Sequence, residues 1–224
     1  MGKPLKLSDR NKPWAKDTGK RKPGNRPQRT YFLIVCEGKK TEPLYFEALK
    51  QDLPRGVLEV VIKGEGCNTL TLLDRALKHK EELITDQARV VDQVWIVFDR
   101  DDFPPSDFDN AIAKANSEKV HAAWSNECFE LWYVLHFEDR KSALPRQDCE
   151  GLLTRFLGVP YQKNDPQMYE RLKDKINVAL QRAAKLANEH KASKRPPHQA
   201  NPCTQVHELI AALRQYLPKQ TPAK

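Results

Sequence analysis

Acidic residues follow two apolar runs of the sequence, at the points where the runs stop. Glu37 follows the run 31–36, and Asp99 follows the run 93–98, with Asp101 and Asp102 close behind. An Asp-x-Asp pair that leaves a strand directs both carboxylates to one side, because strand side chains alternate with a period of two. Carboxylates brought together repel each other unless a hard cation neutralises them, and Mg²⁺ prefers oxygen ligands and bridges to substrate phosphates. These residues therefore predict a site for Mg²⁺ or Mn²⁺, with catalytic roles for Glu37, Asp99 and Asp101 and a ligand role for Asp102 as well.

The predicted elements would bring these residues together. Strand-like and helical segments alternate from residue 31 onward, which predicts an α/β domain with a parallel, twisted sheet flanked by helices. The carboxyl ends of such strands face one crevice, where ligands bind. A glutamate on a neighbouring strand completes a metal site or acts as a general base. The predicted strands are 31–36, 57–62, 93–98 and 119–124, and the predicted helices are 42–50, about 69–84, 106–117 and 126–137.

The pattern changes after about residue 140. Helices are predicted at 147–157, 166–191 and 202–217, with no strand between them. The last segment has an apolar stripe at helical spacing, which must pack on the α/β body or on a partner. We therefore divide the chain into a basic tail (1–30), an α/β domain (31–140) and a helical C-terminal appendage (141–224).

The acidic turn after residue 98 also has a simpler interpretation, a solvated turn that caps the next helix. An EF-hand loop is excluded, because its sixth position would be Pro104 rather than Gly and its twelfth Asn110 rather than Glu. Glu37, at the end of another strand, favours the metal site. Gly38 supports it, because glycine lets the backbone approach a ligand closely.

Basic and glycine residues near these strand ends could bind phosphate. Lys39 and Lys40 could neutralise phosphate oxygens, although a solvated helix start explains them almost as well. Lys63 and Gly64 belong to the sequence Lys-Gly-Glu-Gly before a predicted helix, where free N–H groups could cradle a phosphate. An ordinary strand-to-helix turn is the alternative there.

Glu130 lies in a nearly all-apolar helical segment, where an unpaired carboxylate is costly. It shares a helical face with Asn126 and Glu127. Either Glu130 pairs with a basic residue, or Glu130 and Asn126 support the metal site.

The formal charge of +8 is concentrated at one end of the chain. Residues 1–30 hold ten Lys or Arg and two Asp, so the rest of the chain is neutral overall. Two interpretations of this tail stay open, a solubilising segment and an arm that grips nucleic-acid phosphates. The five cysteines include no Cys-x-x-Cys pair and predict reduced, cytoplasmic core residues rather than a zinc site. Neither a membrane span nor a signal peptide is predicted.

Four blocks of the sequence resemble the RloB family of abortive-infection proteins, and the acidic pattern resembles the Toprim domain. Toprim domains occur in topoisomerases, bacterial primases, OLD-family nucleases and small phage-defence nucleases. The resemblance implies metal or acid–base roles for Glu37, Asp99 and Asp101. It leaves the role of Glu127 open, because a proline-like residue is expected there. The blocks are CEGKKTEPLYF, FDRDD, SNECFELWYVLHF and NPCTQVHEL, in this order within 31–217.

The resemblance and the acidic site together lead us to expect a metal-dependent nuclease. The expected substrate is RNA, with transfer RNA as one candidate, in preference to DNA. The resemblance also implies anti-phage defence, with an ATPase as the partner that restrains the nuclease. Two alternatives stay open: a non-catalytic module that binds nucleic acid or a partner ATPase, and a nucleotidyl transferase that uses the same metal geometry. The oligomeric state is not predicted.

Overall fold

The computed structural model describes residues 29–55, 58–66, 69–100 and 104–217, and the side chain of residue 70 is outside the description. Almost all of the predicted basic tail therefore lies outside the described residues. Asp101 and Asp102, two of the predicted metal ligands, also lie outside them.

A five-stranded, mostly parallel sheet forms the centre of the protein. The strands lie in the order β2-β1-β3-β4-β5, and the first four are parallel while β5 is antiparallel to β4. The mixed α/β class is confirmed, and the arrangement is consistent with a Toprim-like fold. The strands are β1 (Thr30–Cys36), β2 (Leu58–Gly64), β3 (Gln93–Asp99), β4 (His121–Asn126) and β5 (Cys203–Thr204).

Helices cover both faces of the sheet. Strand β1 is apolar along its length because it packs on both sides: Phe32 and Ile34 belong to one core, and Leu33 and Val35 to the other. Helices α2 and α3 pack in the second core, and the other helices supply the first. The helices are α1 (Thr41–Asp52), α2 (Thr69–Thr85), α3 (Pro105–Ser117), α4 (Glu130–Val134), α5 (Arg146–Leu157), α6 (Met168–Leu172), α7 (Ile176–Ala192) and α8 (Val206–Arg214).

The C-terminal region contributes a strand that the sequence pattern did not predict. Cys203 and Thr204 pair with Asn126 and Ser125 of β4, so the expectation of helices alone beyond residue 140 was wrong. A buried hydrogen bond of 2.9 Å joins the hydroxyl groups of Ser125 and Thr204. Two residues are too few to show a period of two, which is why this strand left no signal in the sequence.

Three predicted helices are shorter than expected. The helix predicted at 202–217 is reduced to α8, because β5 occupies its first turn. The helix predicted at 126–137 is reduced to α4, because β4 extends to Asn126 and a short connection precedes the helix. The segment predicted at 166–191 is divided into α6, a 3₁₀ turn at Lys173–Lys175 and α7. The apolar stripe predicted on the last segment packs as expected, with Leu209 and Ile210 in the same core as Phe32. The division of the chain at residue 140 stays a prediction.

None of the helices within the described residues is long and apolar enough to cross a membrane.

Candidate functional site

Glu37 and Asp99 lie side by side at the carboxyl ends of the neighbouring strands β1 and β3. Glu37 Oε2 accepts a hydrogen bond of 3.2 Å from the backbone N–H of Asp99. Glu37 Oε1 accepts one of 2.9 Å from the Thr69 hydroxyl, at the first residue of α2. The Glu37 carboxylate thus joins the end of β3 to the start of α2.

The sheet ladder fixes the backbone that carries Glu37. Its N–H donates to the carbonyl of Val97 at 2.8 Å, and its own carbonyl accepts from the N–H of Gly66 at 2.7 Å. Residue 37 is therefore held from both neighbouring strands, although it lies one residue beyond β1. Its side chain starts from a rigid position, as a site residue on a sheet requires.

A cavity of about 340 Å³ opens at these strand ends. Its carboxylates are mostly buried, since Asp99 is 8% exposed and Glu42 is 7% exposed. Its cationic side chains are exposed and come from both halves of the chain. This distribution places positive charge at the mouth and negative charge in the interior. The lining residues are Glu37, Gly38, Lys39, Lys40, Thr41, Glu42, Asp99, Arg146, Lys163 and Asn164.

Arg146 pairs with Asp99 inside this cavity. Its Nη2 lies 3.2 Å from Asp99 Oδ2, and the side chains are 44% and 12% exposed. Arg146 is the first residue of α5, so the guanidinium reaches the strand end from the C-terminal region. The sequence pattern did not predict this residue, because a single arginine at a helix start carries no distinguishing signal.

Glu127 holds the start of the helix that carries Arg146. Its Oε2 accepts a hydrogen bond of 3.1 Å from the backbone N–H of Arg146, and its Oε1 accepts one of 3.3 Å from Asn201 Nδ2. A carboxylate at a helix N-terminus satisfies an otherwise unpaired N–H and interacts favourably with the helix dipole. Glu127 therefore positions α5, which answers the question that the sequence resemblance left open.

Glu42 is a buried acid that the sequence analysis missed. Burial raises the pKa of this carboxyl from 4.5 to about 7, and the nearby charges of Glu130 and Glu37 contribute, while its own backbone N–H and Lys163 oppose the rise. It lies in the first turn of α1. Acidic residues are common in the first turn of helices, so this position did not stand out in the sequence.

Gly38 makes room for the Glu42 carboxylate. A Cβ atom added at Gly38 would lie 2.9 Å from Glu42 Cδ and 3.0 Å from its Oε1, which is closer than side chains pack. From the sequence, Gly38 was expected to let a ligand approach the backbone closely. In the structure, a side chain of the protein itself occupies the space beside it.

The predicted phosphate-binding residues divide into two groups. Lys39 and Lys40 are exposed and line the cavity. Lys63 and Gly64, at the end of β2, are not among the lining residues. The N–H groups of residues 65 and 66 donate to the carbonyls of residues 36 and 37 at 3.0 and 2.7 Å, so they are engaged in the sheet. This favours the alternative of an ordinary strand-to-helix turn.

Two of the three predicted supporting residues, Asn126 and Glu130, make hydrogen bonds to other parts of the fold. Asn126 is buried, and its Nδ2 donates to the carbonyls of Pro197 and His198, both at 3.1 Å. Glu130 is also buried, and its Oε1 accepts a hydrogen bond of 3.1 Å from the Tyr161 hydroxyl. This neutral partner differs from the basic residue that the sequence suggested for Glu130, and its alternative role beside the metal site stays a prediction. Burial, followed by the charge of Glu130, raises the pKa of Tyr161.

Two of the four predicted metal ligands, Glu37 and Asp99, line the cavity. No group of three or more His, Cys, Asp or Glu side chains within the described ranges is arranged to hold a metal ion. Glu37 and Asp99 present carboxylate oxygens to the cavity, and this donor type suits Mg²⁺ or Mn²⁺. Asp101 and Asp102 follow Asp99 in the sequence but lie beyond the described residues.

Comparisons with known proteins give one match. None was found among curated proteins or among solved structures. The family model described as RloB-like protein matches residues 32–213, which include β1 to β5 nearly completely and all the residues that line the cavity. The chain therefore belongs to the RloB-like family.

Proposed function

We propose that this protein hydrolyses phosphodiester bonds in nucleic acid with the help of Mg²⁺ or Mn²⁺. The observation that carries the proposal is the cavity in which Glu37 and Asp99 lie side by side beneath exposed cations. A phosphate backbone needs positive charge for binding, and phosphoryl transfer in proteins uses carboxylates that hold divalent ions. This cavity contains both kinds of group.

Each lining residue has a role in this proposal. Glu37 and Asp99 would hold the cation through their carboxylate oxygens, with Asp101 and Asp102 as further candidates. When bound, the cation supplies Lewis-acid polarisation of the phosphoryl group. Lys39, Lys40 and Lys163 bind the phosphate oxygens and place the substrate over the strand ends.

Arg146 would change partners when the substrate binds. In the structure its guanidinium neutralises Asp99. A phosphate group offers the same planar, bidentate recognition that arginine gives a carboxylate. Transfer of Arg146 from Asp99 to phosphate would leave the Asp99 carboxylate available as a ligand, so binding of substrate and of cation would support each other.

We extend the proposal to the biological role through the family. RNA, including transfer RNA, is the proposed substrate in preference to DNA. From the sequence resemblance we further propose a role in abortive infection against phage, in the cytoplasm and with an ATPase partner that restrains cleavage. The match to the RloB-like family model supports the resemblance itself.

The test is a cleavage assay combined with thermal unfolding. Purified protein is incubated with mixed RNA and DNA, with Mg²⁺, with Mn²⁺ and with a chelator. We expect cleavage only with a divalent ion, and a stabilisation of about 2–3 kcal/mol at a hundredfold excess of ion over its Kd. Asp99→Asn keeps the side-chain shape but lowers its charge and ligand strength, so it should abolish both effects. Unchanged metal binding and cleavage in this variant would refute the proposal.

Asp107→Asn is the matched control. Asp107 lies in the first turn of α3, a few residues beyond the strand end, and does not line the cavity. The substitution makes the same chemical change and should cost no more than about 1 kcal/mol through the helix start. It should leave cleavage and metal-induced stabilisation unchanged.

The Asp99–Arg146 pair favours a second candidate function, a module that binds nucleic acid or a partner ATPase without cleavage. A carboxylate held by a guanidinium is a poor metal ligand until the arginine moves away. In this case the protein would bind nucleic acid equally well with and without a divalent ion, and no substrate would be cleaved. The same assay distinguishes the two functions, and added nucleoside triphosphates would reveal a nucleotidyl transferase.

A further inference from the structure

Strand β2 is an edge of the sheet and offers unpaired backbone groups. It lies first in the order β2-β1-β3-β4-β5. Among the described residues, its outer side is engaged at its first residue, where the Leu58 N–H donates to the Pro54 carbonyl at 3.4 Å and Leu58 forms a bridge with Arg55. Seven residues long, it has β-branched side chains at its centre, Val60, Val61 and Ile62. Such an edge is a template for pairing with another strand unless charges, bulges or coverage block it.

Open space borders this edge. A groove of about 500 Å³ includes the consecutive residues 58–62 of β2 and side chains of α1. A smaller cavity of about 150 Å³ is lined by Val61 and Lys63, together with residues of α2. Val61 lines both, so the centre of the strand is accessible from both sides of the sheet.

The charges on β2 are complementary to those on a second, antiparallel copy of β2. Glu59 and Lys63 lie two residues on either side of Val61, and all three share one face of the strand because side chains alternate. In an antiparallel pair of two β2 strands centred on Val61, Glu59 of each copy lies opposite Lys63 of the other. Val60 then lies opposite Ile62, and Val61 opposite its own copy. Opposite charges and β-branched pairs are favourable cross-strand neighbours.

The centre of this symmetry coincides with the centre of the strand. Leu58 and Gly64 are the end residues of β2, so Val61 is its central residue. Because Leu58 already bonds to Pro54, the pairing about Val61 rests on residues 59–63. Lys63 is exposed and has no ion pair with another described residue, whereas Glu59 already pairs with Arg89 at 2.6 Å. The self-complementary arrangement provides Lys63 with a carboxylate partner.

We propose that two copies of this chain associate through β2, antiparallel and centred on Val61, to form a two-fold symmetric dimer with one continuous sheet. The interface is isologous, since the same strand serves both copies. The Glu59–Lys63 pair occurs twice, so any change to it acts twice. The two candidate sites then lie at opposite ends of the paired strands, and neither is covered by the other copy's β2.

Sedimentation velocity over a range of concentrations of the full chain tests the association. We expect a monomer–dimer equilibrium. Lys63→Glu places two carboxylates opposite each other at two places, and should weaken dimerisation about tenfold. Glu59→Lys combined with Lys63→Glu restores opposite charges and should recover most of the affinity. Lys141→Glu, an exposed lysine far from β2 in the sequence, makes the same charge change and should have no effect.

Cysteine cross-linking tests the register independently. Val61→Cys places the two new thiols opposite each other only if the strands pair about residue 61, so oxidation should give a covalent dimer. Val90→Cys is the control, because Val90 is 67% exposed and outside β2. The proposal is overturned if the protein stays monomeric at all concentrations, or if Val61→Cys cross-links no faster than Val90→Cys. A dimer insensitive to Lys63→Glu, or one formed only after residues 1–28 are deleted, also overturns it.

Discussion

The parts of the chain before and after residue 140 make different contributions to one cavity: all of its carboxylates lie in the first part, and its cations come from both. Residues before 140 supply its carboxylates, Glu37, Glu42 and Asp99, which are held by strand ends and the first turn of a helix. Residues beyond 140 supply Arg146, Lys163 and Asn164, which reach the cavity from a helix start and a loop. The positions of the carboxylates, and of Lys39 and Lys40, are set by the strand ends and by α1. Those of Arg146 and Lys163 depend on how the C-terminal region packs. The C-terminal region thus completes the site as well as the core.

Removal of the C-terminal region is expected to have the largest effect. Truncation after Leu144 deletes β5 and the helices α5 to α8, which exposes the first core and the outer side of β4. We expect an insoluble or unfolded fragment, measured by soluble yield and by circular dichroism. A soluble fragment with full activity would show that the carboxylate half suffices alone.

Glu42→Gln tests the buried carboxylates of the cavity through the pH dependence of the free energy of unfolding. The folded state binds the Glu42 proton up to about pH 7, whereas the unfolded chain releases it near 4.5. Wild-type stability is therefore lost as the pH rises from about 4.5 to 7. The variant has no such loss and should exceed the wild type by up to about 3 kcal/mol at pH 8, with near equality at pH 4. Denaturant unfolding in a metal-free buffer measures this difference.

The control for this prediction is Glu47→Gln. Glu47 is an exposed glutamate on the same helix α1, paired with Lys50 at 3.5 Å. Its substitution should change stability by less than about 0.5 kcal/mol at any pH, because exposed pairs contribute little. Equal pH profiles for wild type and Glu42→Gln would mean that Glu42 is not held in a buried, proton-binding state.

Arg146→Gln tests the cation that the C-terminal region contributes to the cavity. Loss of the guanidinium removes a charge-assisted contact to phosphate, so the KM or Kd for nucleic acid should rise about tenfold. The same change frees Asp99 from its cation, so the stabilisation by Mg²⁺ should increase. Arg155→Gln is the matched control, since Arg155 lies on the same helix and stacks on Phe156 at 5.1 Å. If both variants behaved like the wild type, Arg146 would have no part in the site.

Glu127→Gln tests the connection between the halves and should have the smallest effect. The amide keeps an acceptor for the Arg146 N–H but loses the charge that favours the helix N-terminus. We expect a loss of about 0.5–1 kcal/mol in the free energy of unfolding. Glu150→Gln, an exposed position on α5, provides the comparison and should be nearly neutral. Equal stabilities of the two variants would remove the capping role.

The same division explains how much could be predicted from the sequence. Glu37 and Asp99 follow continuous apolar runs, and the rule that parallel strands end at one crevice was enough to expect them together. Arg146 and Lys163 lie more than 40 residues beyond Asp99, on segments whose packing no local pattern specifies. Strand β5 was missed for the same reason, because two residues become a strand only when tertiary packing brings them to β4.

Single side chains show what residue type alone does not specify. From the sequence, Gly38 was expected to border a ligand, and Glu130 was expected to pair with a basic residue or to support the metal site. In the structure, the Glu42 carboxylate lies beside Gly38, and the Tyr161 hydroxyl donates a hydrogen bond to Glu130. Residue type constrains which contacts are acceptable, but the fold selects the partner.

The fit between Gly38 and Glu42 has an evolutionary consequence. Gly38 and Glu42 depend on each other, because a Cβ at residue 38 would displace the Glu42 carboxylate. We therefore expect the two positions to covary among related chains, so that a larger residue at the first accompanies a shorter or neutral one at the second. A Gly-x-x-x-Glu spacing directly after the first strand would then mark those relatives that keep a buried, proton-binding acid beside the strand ends.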